Sequence, residues 1–110
     1  MTQVTTPNDV VTLINVFLVE PAQQQQLLDI LVETTEQVMK DLPGFVSANL
    51  HRSTDGSRVV NYAQWRSRED FAAMLVNPAA QAHMTAAAKL ATFEPHLYEV
   101  AHIDEVTTNR

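Results

Sequence analysis

The sequence predicts an α+β domain in which four antiparallel strands and two helical segments follow in the order β-α-β-β-α-β. Three observations carry this. Residues 10–19 form a β-branched and aromatic run without helical spacing, residues 45–66 alternate on either side of an Asp-Gly turn, and the stretches after each carry apolar residues at three- and four-residue intervals. That order is the split βαβ, or ferredoxin-like, arrangement.

The first strand is apolar throughout except for Thr12 and Asn15, as expected of a strand buried on both faces. Pro21 suits the first turn of a helix, where its missing N–H is no loss, and Leu27, Leu31, Val38 and Leu42 give a helix over 22–41. Gln23 to Gln26 read as its exposed surface. Pro43-Gly44 ends it. In the second strand, 45–52, Val46, Ala48 and Leu50 face one way and Ser47, Asn49 and His51 the other. Asp55-Gly56 supplies the turn, and the third strand, 58–66, returns with Val59, Asn61, Ala63 and Trp65 on one face and Val60, Tyr62 and Gln64 on the other. Ser67 and Asp70 resemble a capping box, opening a short helix with Phe71, Met74 and Leu75 on one side. Asn77-Pro78 breaks it, an Ala-rich helix follows over 79–91, and Pro95 precedes a fourth strand over 96–103. The domain is expected over 10–103, between an extended or disordered segment at 1–9 and a polar tail at 104–110.

Composition narrows the function. The chain has 110 residues and a net charge of −6, with only seven Lys and Arg, scattered along it, so a phosphate backbone would be repelled and nucleic acid is not an expected partner. The absence of cysteine removes disulfides, thiolate nucleophiles and sulfur-ligated metals. Glycine occurs only at 44 and 56, which rules out a Gly-rich nucleotide or flavin loop, and the histidines lack the spacing of a metal site. The first nine residues do not read as a signal peptide, and apolar runs fall far short of the roughly 20 residues of a membrane span. A cytoplasmic protein with no membrane partner is expected. Because the helices cover one sheet face while the strands carry apolar residues on both, a homodimer through the open face is expected as well.

The stretch His51-Arg52-Ser53-Thr54-Asp55-Gly56-Ser57-Arg58-Val59-Val60-Asn61-Tyr62-Ala63-Gln64-Trp65 closely resembles the central hairpin of antibiotic biosynthesis monooxygenases. The likeness extends over about 10–103. It implies a dimeric α+β barrel that oxidises a polycyclic aromatic phenol or quinol to a quinone with O2 as co-substrate and no metal, flavin or haem. Such an enzyme must help remove a phenolic proton, hold the resulting anion and keep water from reactive intermediates. At the matched positions Asn61 offers an amide donor, Trp65 a flat wall with one N–H, and His51 the side-chain type that exchanges protons near neutrality. These three are the expected catalytic residues, converging on one hollow, with Phe71, Met74, Asn15 and Phe17 lining the substrate pocket. The likeness also sets a tyrosine where this chain has Phe71 and an arginine further on that Asn77 to Gln81 does not supply. Those departures suit an alternative, a non-catalytic small-ligand binding or regulatory member of the same fold. A second alternative is a haem-binding or haem-degrading relative, for which Asn15 and His83 are matched while Met74 stands where a tryptophan is implied.

Overall fold

A computed structural model describes residues 10–106. Segment 1–9 and the last residues of the polar tail lie outside them. Strand β1 (Val11–Val19) leads through a 3₁₀ turn (Pro21–Gln23) into helix α1 (Gln24–Gln37), and a second 3₁₀ turn (Met39–Asp41) leads into β2 (Phe45–Arg52). Then come β3 (Arg58–Trp65), helices α2 (Arg68–Leu75) and α3 (Pro78–Ala88), and β4 (Ala91–Tyr98). The four strands form one sheet in the order β2-β3-β1-β4 with antiparallel neighbours. The expected ferredoxin-like architecture is present.

Three expectations need correction. The Ala-rich helix, α3, stops at Ala88 and not at 91, because Ala91 already pairs with Val19 in β4. Helix α1 is shorter than 22–41, because its first and last turns tighten to 3₁₀ geometry. The fourth strand runs over Ala91–Tyr98, not 96–103, with Pro95 paired to Asn15 in its middle. Proline cannot donate to a ladder, but β4 is an edge strand, where the missing N–H faces away from the only neighbour.

Local chemistry accounts for the connections. Ser67 accepts from the Asp70 N–H at 3.0 Å and its hydroxyl donates to the Asp70 carboxylate at 3.0 Å, capping α2. Asn77 Oδ1 accepts from the Ala80 N–H at 3.0 Å, and Pro78 takes the first position of α3. Gly44 has φ +82°, and a Cβ there would collide with the Asp70 side chain, so no other residue fits between the second 3₁₀ turn and β2. The glutamine run is more than exposed surface. Gln24 Nε2 donates to the carbonyls of Ser53 (3.1 Å) and Arg58 (3.0 Å), and Arg52 donates to Gln25 Oε1 at 2.8 Å, tying the start of α1 to the hairpin.

Odd-numbered residues of β1, β3 and β4 face the helices, and the core lies there in two clusters. One gathers Leu13, Ala63, Trp65, Phe71 and Met74 with Val38, and the other Phe17, Leu27, Leu31, Val59, Ala87 and Ala91 with Val19. On the other face Ile14, Val16, Val60 and Tyr62 are half-buried and Leu18 and Tyr98 exposed, flanked by the more polar edges of β2 and β4.

Candidate active site

The two clusters are separated by one row of residues across the sheet. In register, Leu50, Asn61, Asn15 and Pro95 stand side by side on the helix-facing side. Directly opposed residues of an antiparallel pair have Cβ atoms roughly 5 Å apart, so the two amides are neighbours. Asn15 is 5% exposed, and the Oδ1 atoms of Asn15 and Asn61 are both buried without a hydrogen-bond partner. A buried amide oxygen left unpaired costs about 1–3 kcal/mol, and neither of these two finds a partner within the protein.

Above the row is a cavity of about 180 Å³. Its floor is Leu13, Asn15, Phe17, Asn61, Ala63 and Trp65 from the central strands, with Ala48 and Phe45 from β2 and Phe93 and Pro95 from β4. Its roof is Leu31, Thr34 and Thr35 of α1, Met39, Phe71, Met74 and Leu75 of α2, and Ala80, Gln81 and Met84 of α3. A hollow of this order admits an aromatic ring. Leu75, 51% exposed, and Gln81, also exposed, stand at the edge where it meets solvent.

Trp65 is packed between two other rings. It is 1% exposed, with its ring edge-on to Phe45 (centroids 5.4 Å, 78°) and Phe71 (6.2 Å, 70°), so the same side chain anchors one core cluster and walls the cavity. Phe17 stacks at a tilt on Phe93 at 5.1 Å on the other side. Asn15, Phe17, Asn61, Trp65, Phe71 and Met74 all line this one cavity.

His51 is not. It pairs with Val60, on the sheet face away from the cavity, and is exposed. Because, beyond the register shift between Phe45 and Ser47, odd-numbered residues of β3 oppose even-numbered residues of β2, Leu50 and not His51 sits beside Asn61. The expected convergence of amide, indole and imidazole on one hollow is corrected to amide and indole, with Asn15 as the third member. His83 is also elsewhere: its Nδ1–H donates to the Ala79 carbonyl at 3.0 Å and its Nε2 lies 3.6 Å from the Glu33 carboxylate. It does not line the cavity, so a haem ligand there finds no support.

The residues missed from sequence are Thr34, Thr35, Met39, Gln81 and Met84. A signal existed for one of them: Leu27, Leu31 and Val38 mark the inward stripe of α1, and Thr34 falls within that spacing as its only polar member, 3% exposed. Among the described residues no cluster of His, Asp or Glu could hold a metal, and no helix is long and apolar enough to cross a membrane.

The sequence profile of the family described as antibiotic biosynthesis monooxygenase matches residues 10–86, the span that builds most of this floor and all of this roof. The chain belongs to the antibiotic biosynthesis monooxygenase family. Among the relatives of this monooxygenase family, the tetracenomycin-F1 monooxygenase of Streptomyces glaucescens is 48% identical over 94 residues, covering 86% of this chain and 84% of that protein. The ActVA-Orf6 monooxygenase of Streptomyces coelicolor, solved with nanaomycin D bound, superposes with a TM-score of 0.85 at 26% identity, covering 96% of this chain and all of the other. SnoaB of Streptomyces nogalater, a cofactor-independent oxygenase, superposes with a TM-score of 0.72 at 31% identity over 86% of this chain and 96% of that one, and it has also been solved with an asparagine exchanged for alanine. This chain is thus a monooxygenase of a cofactor-independent kind, which decides against the non-catalytic alternative.

Proposed function

We propose that this monooxygenase oxidises a polycyclic aromatic phenol or quinol to a quinone, with O2 as the only co-substrate and the reaction taking place on the Asn15–Asn61 row. The observation that carries the reading is the pair of buried amide oxygens without a protein partner at the seam of a largely aromatic and aliphatic cavity. For a phenol the balance is simple: the ring takes one oxygen atom to become the quinone, and the other leaves as water with the two hydrogens the substrate gives up. The substrate supplies the electrons. Asn61, aimed by a central strand, accepts the phenolic O–H on its Oδ1 and its amide N–H donates to the oxygen as charge develops there, Asn15 holds the same edge from the opposed position, and Trp65 gives the ring system a rigid wall. The apolar lining keeps water from the activated ring. His51 has no part in this account. Tetracenomycin F1, in the name of one relative, and nanaomycin D, bound to another, support a fused-ring aromatic as the substrate class.

Two further parts of the reading concern the assembly. The apolar centre of the far sheet face, bounded by polar edge strands, has the composition of an interface core with its rim, which supports a homodimer formed through it. The reducing cytoplasm suits a chain without cysteine.

The test is O2 uptake by metal-free protein with 1,8-dihydroxyanthrone. Turnover to the quinone well above the buffer blank is expected, together with a loss of about 10²–10³ in kcat for Asn61→Ala. No turnover on any fused-ring phenol, or an unaffected Asn61→Ala variant, refutes the proposal.

A further inference from the structure

The roof of the cavity carries a feature that no resemblance assigns. Thr34 occupies a core position on α1 and is 3% exposed, yet it is polar and lines the cavity. Its hydroxyl donates to the Ile30 carbonyl at 2.7 Å, and the neighbouring Thr35 hydroxyl donates to the Leu31 carbonyl at 3.0 Å. A hydroxyl has one proton. Once both protons are committed to the helix backbone, what α1 can offer a ligand is oxygen lone pairs alone, at the only polar positions on that wall.

The floor is different in kind. Asparagine amides both donate and accept, and the Trp65 indole only donates, so the sheet can hold a carbonyl, a phenolate or a hydroxyl. The α1 wall can bond only a group that brings its own proton. A carbonyl or ether oxygen placed there would face lone pairs with nothing between, desolvated and unpaired, which is the arrangement by which polar sites reject analogues.

We propose that Thr34, supported by Thr35, is a specificity-determining residue that reads a free hydroxyl on the edge of the fused-ring substrate turned toward α1. Methylation of that hydroxyl, or its conversion to a carbonyl, removes the proton that Thr34 requires. The inference rests on the cavity being the substrate site, and it names the chemistry of the substrate edge that faces α1. The hydroxyl of Thr34 is not needed for the helix, because back-bonding to the i−4 carbonyl weakens helices slightly and valine has nearly the same shape. Thr34→Val is therefore expected to fold.

Binding can be read apart from turnover. Trp65 is the chain's single tryptophan and lines the cavity, so its fluorescence reports occupancy directly. Titration of the protein with 1,8-dihydroxyanthrone and with 1,8-dimethoxyanthrone is expected to show about tenfold tighter binding of the dihydroxy compound. In Thr34→Val that ratio falls to near one, chiefly through weaker binding of the dihydroxy compound, whereas Thr34→Ser keeps it. A ratio near one in the unmodified protein, a ratio that survives Thr34→Val, equal weakening of both ligands, or no quenching by either overturns the proposal. Should binding behave as expected while O2 uptake stays at the blank, the specificity stands and the oxygenation reading fails.

Discussion

Replacing Asn61 by leucine tests whether the amide is held for a ligand at the expense of the fold. The Asn61 Oδ1 is buried without a partner, at the seam between two apolar clusters. Leucine has nearly the shape of asparagine and removes an unpaired group costing about 1–3 kcal/mol. For a domain of this size each kcal/mol moves Tm by roughly 4–8 °C, so the Asn61→Leu protein is expected to melt on the order of 5–15 °C higher in the absence of ligand. Its kcat on 1,8-dihydroxyanthrone falls by about 10²–10³, since no donor faces the developing charge. The order of stabilities should then change with ligand: a hundredfold excess over Kd stabilises the unmodified protein by about 2.7 kcal/mol and the variant by much less. Scanning fluorimetry with and without the anthrone measures both. If leucine overfills the row, Asn61→Val, smaller by one methylene, still shows the gain. Melting at or below that of the unmodified protein for both variants means the amide is already satisfied, by water or by the fold, and the reasoning from an unpaired group is wrong.

Three other outcomes follow from the same geometry. Phe71→Tyr places a hydroxyl in the cavity beside Trp65; kcat is expected to rise several-fold while Tm falls by a few degrees, because an unmatched buried hydroxyl costs about 1 kcal/mol, and steady-state kinetics beside thermal melts check this. Gly44→Ala meets both a φ of +82° and the Asp70 side chain that serves the α2 cap, so denaturant unfolding should show a loss of about 2–3 kcal/mol. Asp55 accepts from the Ser57 hydroxyl, the Ser57 N–H and the Ser53 hydroxyl, and these bonds lower its pKa from 3.8 to about 2. A lowered carboxylate stabilises the folded chain fully above its unfolded pKa and loses that contribution as pH falls through the folded one. The hairpin should therefore hold above about pH 4 and loosen between 4 and 2, a change that side-chain carboxyl NMR shifts would follow, with Asp55→Asn removing it.

Much of this was legible in the residues because helix caps, Asp-Gly turns and apolar periods are local. Ser67, Asn77 and Gly56 do what their types predict. What failed was non-local. Alternation within β2 groups His51 with Asn49 and Ser47, but it does not say which residues of β3 they oppose, and a register different by one residue would have brought His51 beside Asn61. The loop of Ser53 to Ser57 settles that register. Pro95 misled for a similar reason: a proline ends a central strand but is tolerated at an edge, and which strand is the edge depends on the order β2-β3-β1-β4, which the sequence carries only indirectly. Thr34 escaped because one polar residue in an apolar stripe reads as a minor blemish until a cavity is seen beneath it.

The site and the core share one sheet face, and that explains why the cavity exists. A small domain ordinarily fills this space, since close packing contributes most of its stability. Here the central strands place two amides at the midpoint of the row where the clusters of Trp65 and Phe17 would otherwise meet, and Ala48, Ala63 and Ala80 around the hollow leave the gap open. Apolar side chains that closed over the amides would seal them from any ligand or water that could pair them, so the polar pair both maintains the hollow and supplies its chemistry. The consequence is testable with the double variant Asn15→Leu, Asn61→Leu. If the amides alone keep the two clusters apart, the double variant gains more stability than the sum of the single changes, because only then can the clusters join, and Trp65 fluorescence no longer responds to the anthrone. Additive gains with ligand binding intact would mean that the backbone, and not the asparagines, sets the shape of the hollow.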